Sequence, residues 1–95
     1  MGLNKHQYQN ELFLRRRERG LSRKQVAALL GQVSSSMLSR YENGYSYPHL
    51  VTALMLEIIY RTPVAYLYYE LYDSLRKALR EQEGTPLEPY QPTLF

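Results

Sequence analysis

Apolar positions along the chain fall into groups separated by glycine, serine or proline. The first, Leu12-Phe13-Leu14, runs into arginines and stops at Gly20, a residue that closes helices because it enters the left-handed region without strain. Ser22-Arg23-Lys24-Gln25 then has the form of a capping box, in which the Ser22 hydroxyl accepts from the Gln25 amide and the Gln25 side chain reaches back. Val26, Leu29 and Leu30 follow as the apolar face of a second helix ended by Gly31. A short third helix has Ser34 as its N-cap, Leu38 and Tyr41 turned inward and Gly44 as its left-handed stop. Pro48 suits the first turn of a fourth, which is expected to bury Leu50, Val51, Leu54, Met55, Ile58 and Ile59.

Thr62-Pro63 opens a fifth helix whose apolar positions, Val64, Leu67, Leu71, Leu75 and Leu79, recur every three or four residues before Gly84. No strand alternation and no internal repeat interrupts this pattern. The fold class is therefore all-α, with five helices and an extended C-terminal one. That last helix, at about 20 residues and about 30 Å, is longer than a small core requires. Residues 70–83 are accordingly expected to bury their leucines against another chain. Tyr68, Leu71, Tyr72, Leu75 and Leu79 would form the dimer contact, tyrosine being suited to half-buried seams by its apolar body and polar tip. A solvated extension held by Arg/Glu pairs is the alternative. Residues 1–9 read as an N-terminal arm, and 84–95, with three prolines, as a flexible tail.

Composition sharpens this picture. Ninety-five residues make one domain, and the absence of cysteine excludes disulfides and thiolate metal sites. The net charge of +3 is unevenly spread. Residues 1–47 carry eight Lys/Arg against three acids, and residues 48–95 four against six. Six of the bases lie between Arg15 and Lys24, which suggests a basic face for a polyanion. The most apolar stretch, Leu50 to Tyr60, is broken by Glu57 and too short to span a bilayer. With no apolar run after Lys5, a cytoplasmic protein without a membrane partner is expected. His6 and His49 lack metal-ligand spacing, and no phosphate loop or Ser-His-Asp relay is visible. Neither catalysis nor a metal or other cofactor is expected.

Gly20-Leu21-Ser22, Val26-Ala27, Gly31, Ser36-Met37-Leu38-Ser39-Arg40-Tyr41-Glu42-Asn43-Gly44 and Pro48 together form a helix-turn-helix pattern. Over about residues 10–69 the chain resembles the Cro/lambda-repressor-like (XRE-type) helix-turn-helix regulators. Two departures stand out: Gly31 to Glu42 spans eleven steps, one more than is usual, and Arg15 occupies a usually apolar position.

The resemblance implies a double-stranded DNA partner, with the third helix in the major groove. Ser35, Ser36, Met37, Ser39 and Arg40 would then touch bases. Ser22, Arg23, Lys24, Asn43 and Tyr45 would contact phosphates, and Arg16 and Glu42 would form a structural ion pair. It further implies a dimeric transcriptional regulator, a repressor of bacterial or phage type associated with the nucleoid. Its pseudo-palindromic operator would have half-sites about 34 Å apart. The alternative is an antitoxin or interaction module that binds a partner protein through the long helix and tail.

Overall fold

The computed structural model describes residues 8–83, and among these every regular element is helical. The helices are α1 (Leu12–Glu18), α2 (Arg23–Leu30), α3 (Ser35–Glu42), α4 (Leu50–Tyr60), α5 (Val64–Leu67) and α6 (Tyr69–Glu83). The expected arm up to residue 7 and the tail from residue 84 lie outside the described residues.

One core is shared by the first five helices. Leu12, Val26, Leu30, Leu38, Tyr41, Leu56, Tyr60, Leu67 and Tyr68 form it, with Leu21, Val33, Met55, Ile59, Val64 and Leu71 packed around it. The start of α1 is tied in by polar contacts that periodicity does not reveal. Asn10 Oδ1 accepts from Leu12 N at 3.0 Å while Asn10 Nδ2 donates to the Tyr41 carbonyl at 3.1 Å. Glu11 N donates to Leu67 O at 2.9 Å.

The longer turn between α2 and α3 has a definite register. Gly31, at φ +88°, takes the positive-φ position after α2, where an L side chain would be strained. Ser34 then caps α3, its Oγ accepting from Met37 N at 3.0 Å. The additional residue is accommodated between these two points, and Val33 there packs onto the core.

Several expectations need correction. The expected fifth helix is two helices: Tyr68, at φ −116° and ψ 47°, interrupts it. Leaving the helical path sends the Tyr68 ring inward, where it meets Tyr47 edge-on at 5.9 Å between centroids. Leu29 is exposed, because α2 turns Val26 and Leu30 to the core instead. Pro48 lies ahead of α4, whose N-cap is His49. Arg15 is on the outer face of α1, paired with Glu11 at 2.8 Å and Glu18 at 3.1 Å.

The largest correction concerns α4. Leu50, Val51, Leu54 and Ile58 are 73, 68, 46 and 74% exposed, whereas Leu56 and Tyr60 are buried. A helix apolar around its whole circumference carries no polarity to say which side faces inward. Here the side bearing Leu56 and Tyr60 meets the core, which leaves a stripe of aliphatic side chains uncovered.

Candidate nucleic-acid interface

The first turn of α2 lies against α3, where Arg23 reaches Glu42. Between their first turns lies an open cleft of about 440 Å³, lined by Arg16, Ser22, Arg23, Lys24, Ser35, Ser36 and Ser39. The local sequence explains why both helices start there. Ser22 and Gln25 complete a reciprocal capping box, with Gln25 N donating to Ser22 Oγ at 3.1 Å and Ser22 N to Gln25 Oε1 at 2.8 Å. Ser34 performs the single-sided version for α3. Each helix start carries a partial positive charge from its aligned peptide dipoles. Three cationic side chains and four hydroxyls add to it in one concavity, which suits an anion such as a phosphate.

Beneath the cleft is a buried carboxylate. The Glu42 side chain is 2% exposed and pairs with Arg16, whose Nε donates to Oε2 at 2.7 Å. Arg16 Nη2 reaches Oε1 at 3.3 Å, and Nη1 donates to Leu21 O at 3.0 Å. The hydrogen bond to Glu42 is the chief cause that raises the Arg16 pKa above its ordinary value, against burial acting the other way. Arg23 adds a second guanidinium, its Nε donating to Glu42 Oε1 at 3.1 Å. Two cations on one carboxylate leave one positive charge in excess, and it sits where the cleft opens. Nearby, burial pushes the Tyr60 hydroxyl up to about 12, and the Glu42 charge adds to the effect.

The site residues expected from sequence separate into groups. Ser22, Arg23, Lys24, Ser35, Ser36 and Ser39 meet around the cleft. Met37 and Arg40 do not line it. Arg40 lies at the other end of α3, where its Nε donates to Ser46 Oγ at 3.3 Å and its guanidinium carbon sits 5.7 Å from the Tyr45 ring centroid. The Asn43 amide is spent on its own helix, donating to Ser39 O at 2.9 Å and Ser39 Oγ at 3.3 Å. Ser46 was not singled out by the sequence pattern; it lies six residues after Arg40 in a loop, outside any helical spacing.

The expected dimer residues also divide. Tyr68 is 7% exposed and belongs to the chain's own core. It nonetheless lines, with Leu71, Tyr72 and Leu75, an apolar groove of about 400 Å³ completed by Tyr47, Pro48 and Ala53. Leu79 is exposed further along α6. No helix among the described residues is long and apolar enough to cross a membrane.

Comparison with known proteins agrees with this geometry. The Helix-turn-helix family model matches residues 12–67, from the first residue of α1 to the last of α5. No curated protein and no solved structure gives a significant match. With the match covering more than half the chain and the turn, caps and buried ion pair in place, the chain belongs to the Cro/lambda-repressor-like (XRE-type) helix-turn-helix family, a family of DNA-binding regulators.

Proposed function

We propose that this chain is a transcriptional repressor that binds double-stranded DNA sequence-specifically as a homodimer on a pseudo-palindromic operator. The observation that carries the reading is the cationic, hydroxyl-lined cleft between the first turns of α2 and α3. A phosphate seated there would be held by Ser22, Arg23 and Lys24 and by free amides of α2, which fixes register without reading sequence. The same docking would present Ser35, Ser36 and Ser39 to the major groove. Small hydroxyls permit close backbone approach and can donate to or accept from base edges.

A second copy would cover the apolar groove beside α6. Leu71, Tyr72, Leu75 and Leu79 supply one part of that surface. Helix α4 contributes Ala53 to the groove, with Leu50 and Leu54 beside it on the same helix. The groove lining is uncharged, and the chain carries aliphatic knobs and an apolar hollow on adjoining positions, as a two-fold contact between identical surfaces requires.

Titration of the purified chain against a duplex pool at rising salt tests the function. Affinity should fall linearly on a log–log plot, with a slope set by the number of phosphates neutralised. Absence of duplex binding at low salt would overturn the reading.

A further inference from the structure

Arg40 is the one long cationic side chain in α3, and the way α3 ends decides where its guanidinium lies. The helix closes in a Schellman arrangement: Tyr45 N donates to Arg40 O at 2.9 Å and Gly44 N to Tyr41 O at 3.1 Å, with Gly44 at φ +79°. This closure folds residue 45 back over residue 40. An apolar contact usually accompanies it. Here the pair is an arginine and a tyrosine, 5.7 Å from guanidinium carbon to ring centroid, within cation–π range. Ser46 completes the hold by accepting from Arg40 Nε at 3.3 Å.

A guanidinium has five N–H groups in a planar fork. Arg16 uses all three of its nitrogens on Glu42 and the Leu21 carbonyl. Arg40 uses Nε alone, and its two Nη nitrogens make no hydrogen bond among the described residues. One ring face and one hydroxyl therefore fix the plane of the group and leave its outer edge free. An edge of that kind is what the O6 and N7 of guanine accept in a bidentate pair.

We propose that Tyr45 and Ser46 are positioning residues for specificity: they hold the Arg40 fork in the orientation that reads one guanine per half-site. This rests on the duplex-binding reading above and replaces the phosphate contact expected of Tyr45. A held fork loses less side-chain freedom on binding than a free one, and the gain is realised only where the fork meets guanine, so it appears as discrimination at one base pair.

The test is a single-base substitution scan of a selected operator, read by fluorescence anisotropy with the full chain. Arg40→Ala should relax discrimination at one position by roughly 5- to 150-fold. Tyr45→Ala should relax the same position by about two- to fivefold, the scale of an exposed cation–π contact, and leave the salt slope unchanged. Tyr45→Phe, which keeps the ring face, should match the parent chain. Ser46→Ala should shift the same position alone. Tyr45→Ala with an unaltered base profile would overturn the proposal. So would Tyr45→Phe weakening all sequences alike, which marks a hydroxyl–phosphate contact. A parent chain that binds no duplex fails the repressor reading first and this proposal with it.

Discussion

Arg23 Nε and Glu42 Oε1 are 3.1 Å apart, so the carboxylate that α3 places under the cleft is shared between two arginines from two other parts of the chain. The partners differ in kind. The Arg16 side chain is 7% exposed and that of Arg23 is 41% exposed. The first arginine anchors α3 to α1. The second fastens the first turn of α2 to the last turn of α3.

Substitution of the two arginines should therefore give different results. Arg16→Ala leaves the buried Glu42 carboxylate without its main partner, at a cost of about 3–5 kcal/mol. In a small domain that is a large part of the total stability. Arg23→Ala leaves Arg16 in place and removes a half-exposed contact, so the cost should be about 1 kcal/mol or less. Urea unfolding followed by circular dichroism measures both. Equal losses for the two variants would contradict this division of roles.

Lys24 offers a cleaner probe of the cleft. It is exposed and makes no ion pair among the described residues, whereas Arg23 is coupled to the core. Lys24→Ala should leave the melting temperature nearly unchanged. On duplex DNA it should weaken all sequences alike and lower the salt slope by about 1. A changed base preference with an unchanged slope would place Lys24 away from the phosphates.

The sequence was most legible where local chemistry sets the structure. The Ser22–Gln25 capping box and the Ser34 cap depend on residues three apart, and both form as the pattern predicts. The Arg16–Glu42 contact followed from family resemblance and not from spacing, since the partners are separated by 26 residues. Three features were not legible. In α4 nearly every residue is apolar, so periodicity does not select the buried side and does not distinguish the exposed Leu50, Val51, Leu54 and Ile58 from the buried Leu56 and Tyr60. The repeat Val64, Leu67, Leu71, Leu75 and Leu79 runs across Tyr68 without a gap, so periodicity gave no sign that the helix breaks there and that the Tyr68 ring packs on Tyr47. The hold on Arg40 was hidden for a third reason: it depends on how the chain turns after Gly44, beyond the helix that a periodic pattern describes.

Alkaline pH should expose the buried tyrosines. The Tyr60 hydroxyl is pushed up to about 12, mainly by burial and then by the Glu42 charge. A group raised in the folded state contributes stability that is complete below its unfolded pKa of about 10 and is lost as pH climbs towards 12. Two units correspond to about 3 kcal/mol. Burial raises Tyr68 as well, so part of the loss should continue beyond that window. The Tyr60 hydroxyl has no hydrogen-bond partner among the described residues, so Tyr60→Phe should be neutral or slightly stabilising at pH 7. Between pH 10 and 12 the variant should lose less stability than the parent. Thermal melts across that range would show whether the two curves separate; parallel curves would mean that Tyr60 ionises freely.

The two uncovered apolar surfaces make separable predictions about self-association. If the second copy packs only against α6, Leu75→Glu should give a monomer and Ile58→Glu should leave the dimer intact. The proposed surface runs from the groove onto α4 through Ala53, Leu50 and Leu54, and it predicts more. A stable interface takes about 20 residues a side, more than two exposed leucines and one groove can offer. Leu54→Glu should then weaken the dimer nearly as much as Leu75→Glu, because a charge placed in the desolvated centre has no partner. Ile58, farther round the helix from Ala53, should matter less. All three positions are partly exposed in the single chain, so the variants should fold. Sedimentation equilibrium at several protein concentrations reads the association directly. Duplex binding by a monomeric variant should drop to that of a single half-site, since the cationic cleft shares no residue with the apolar surface.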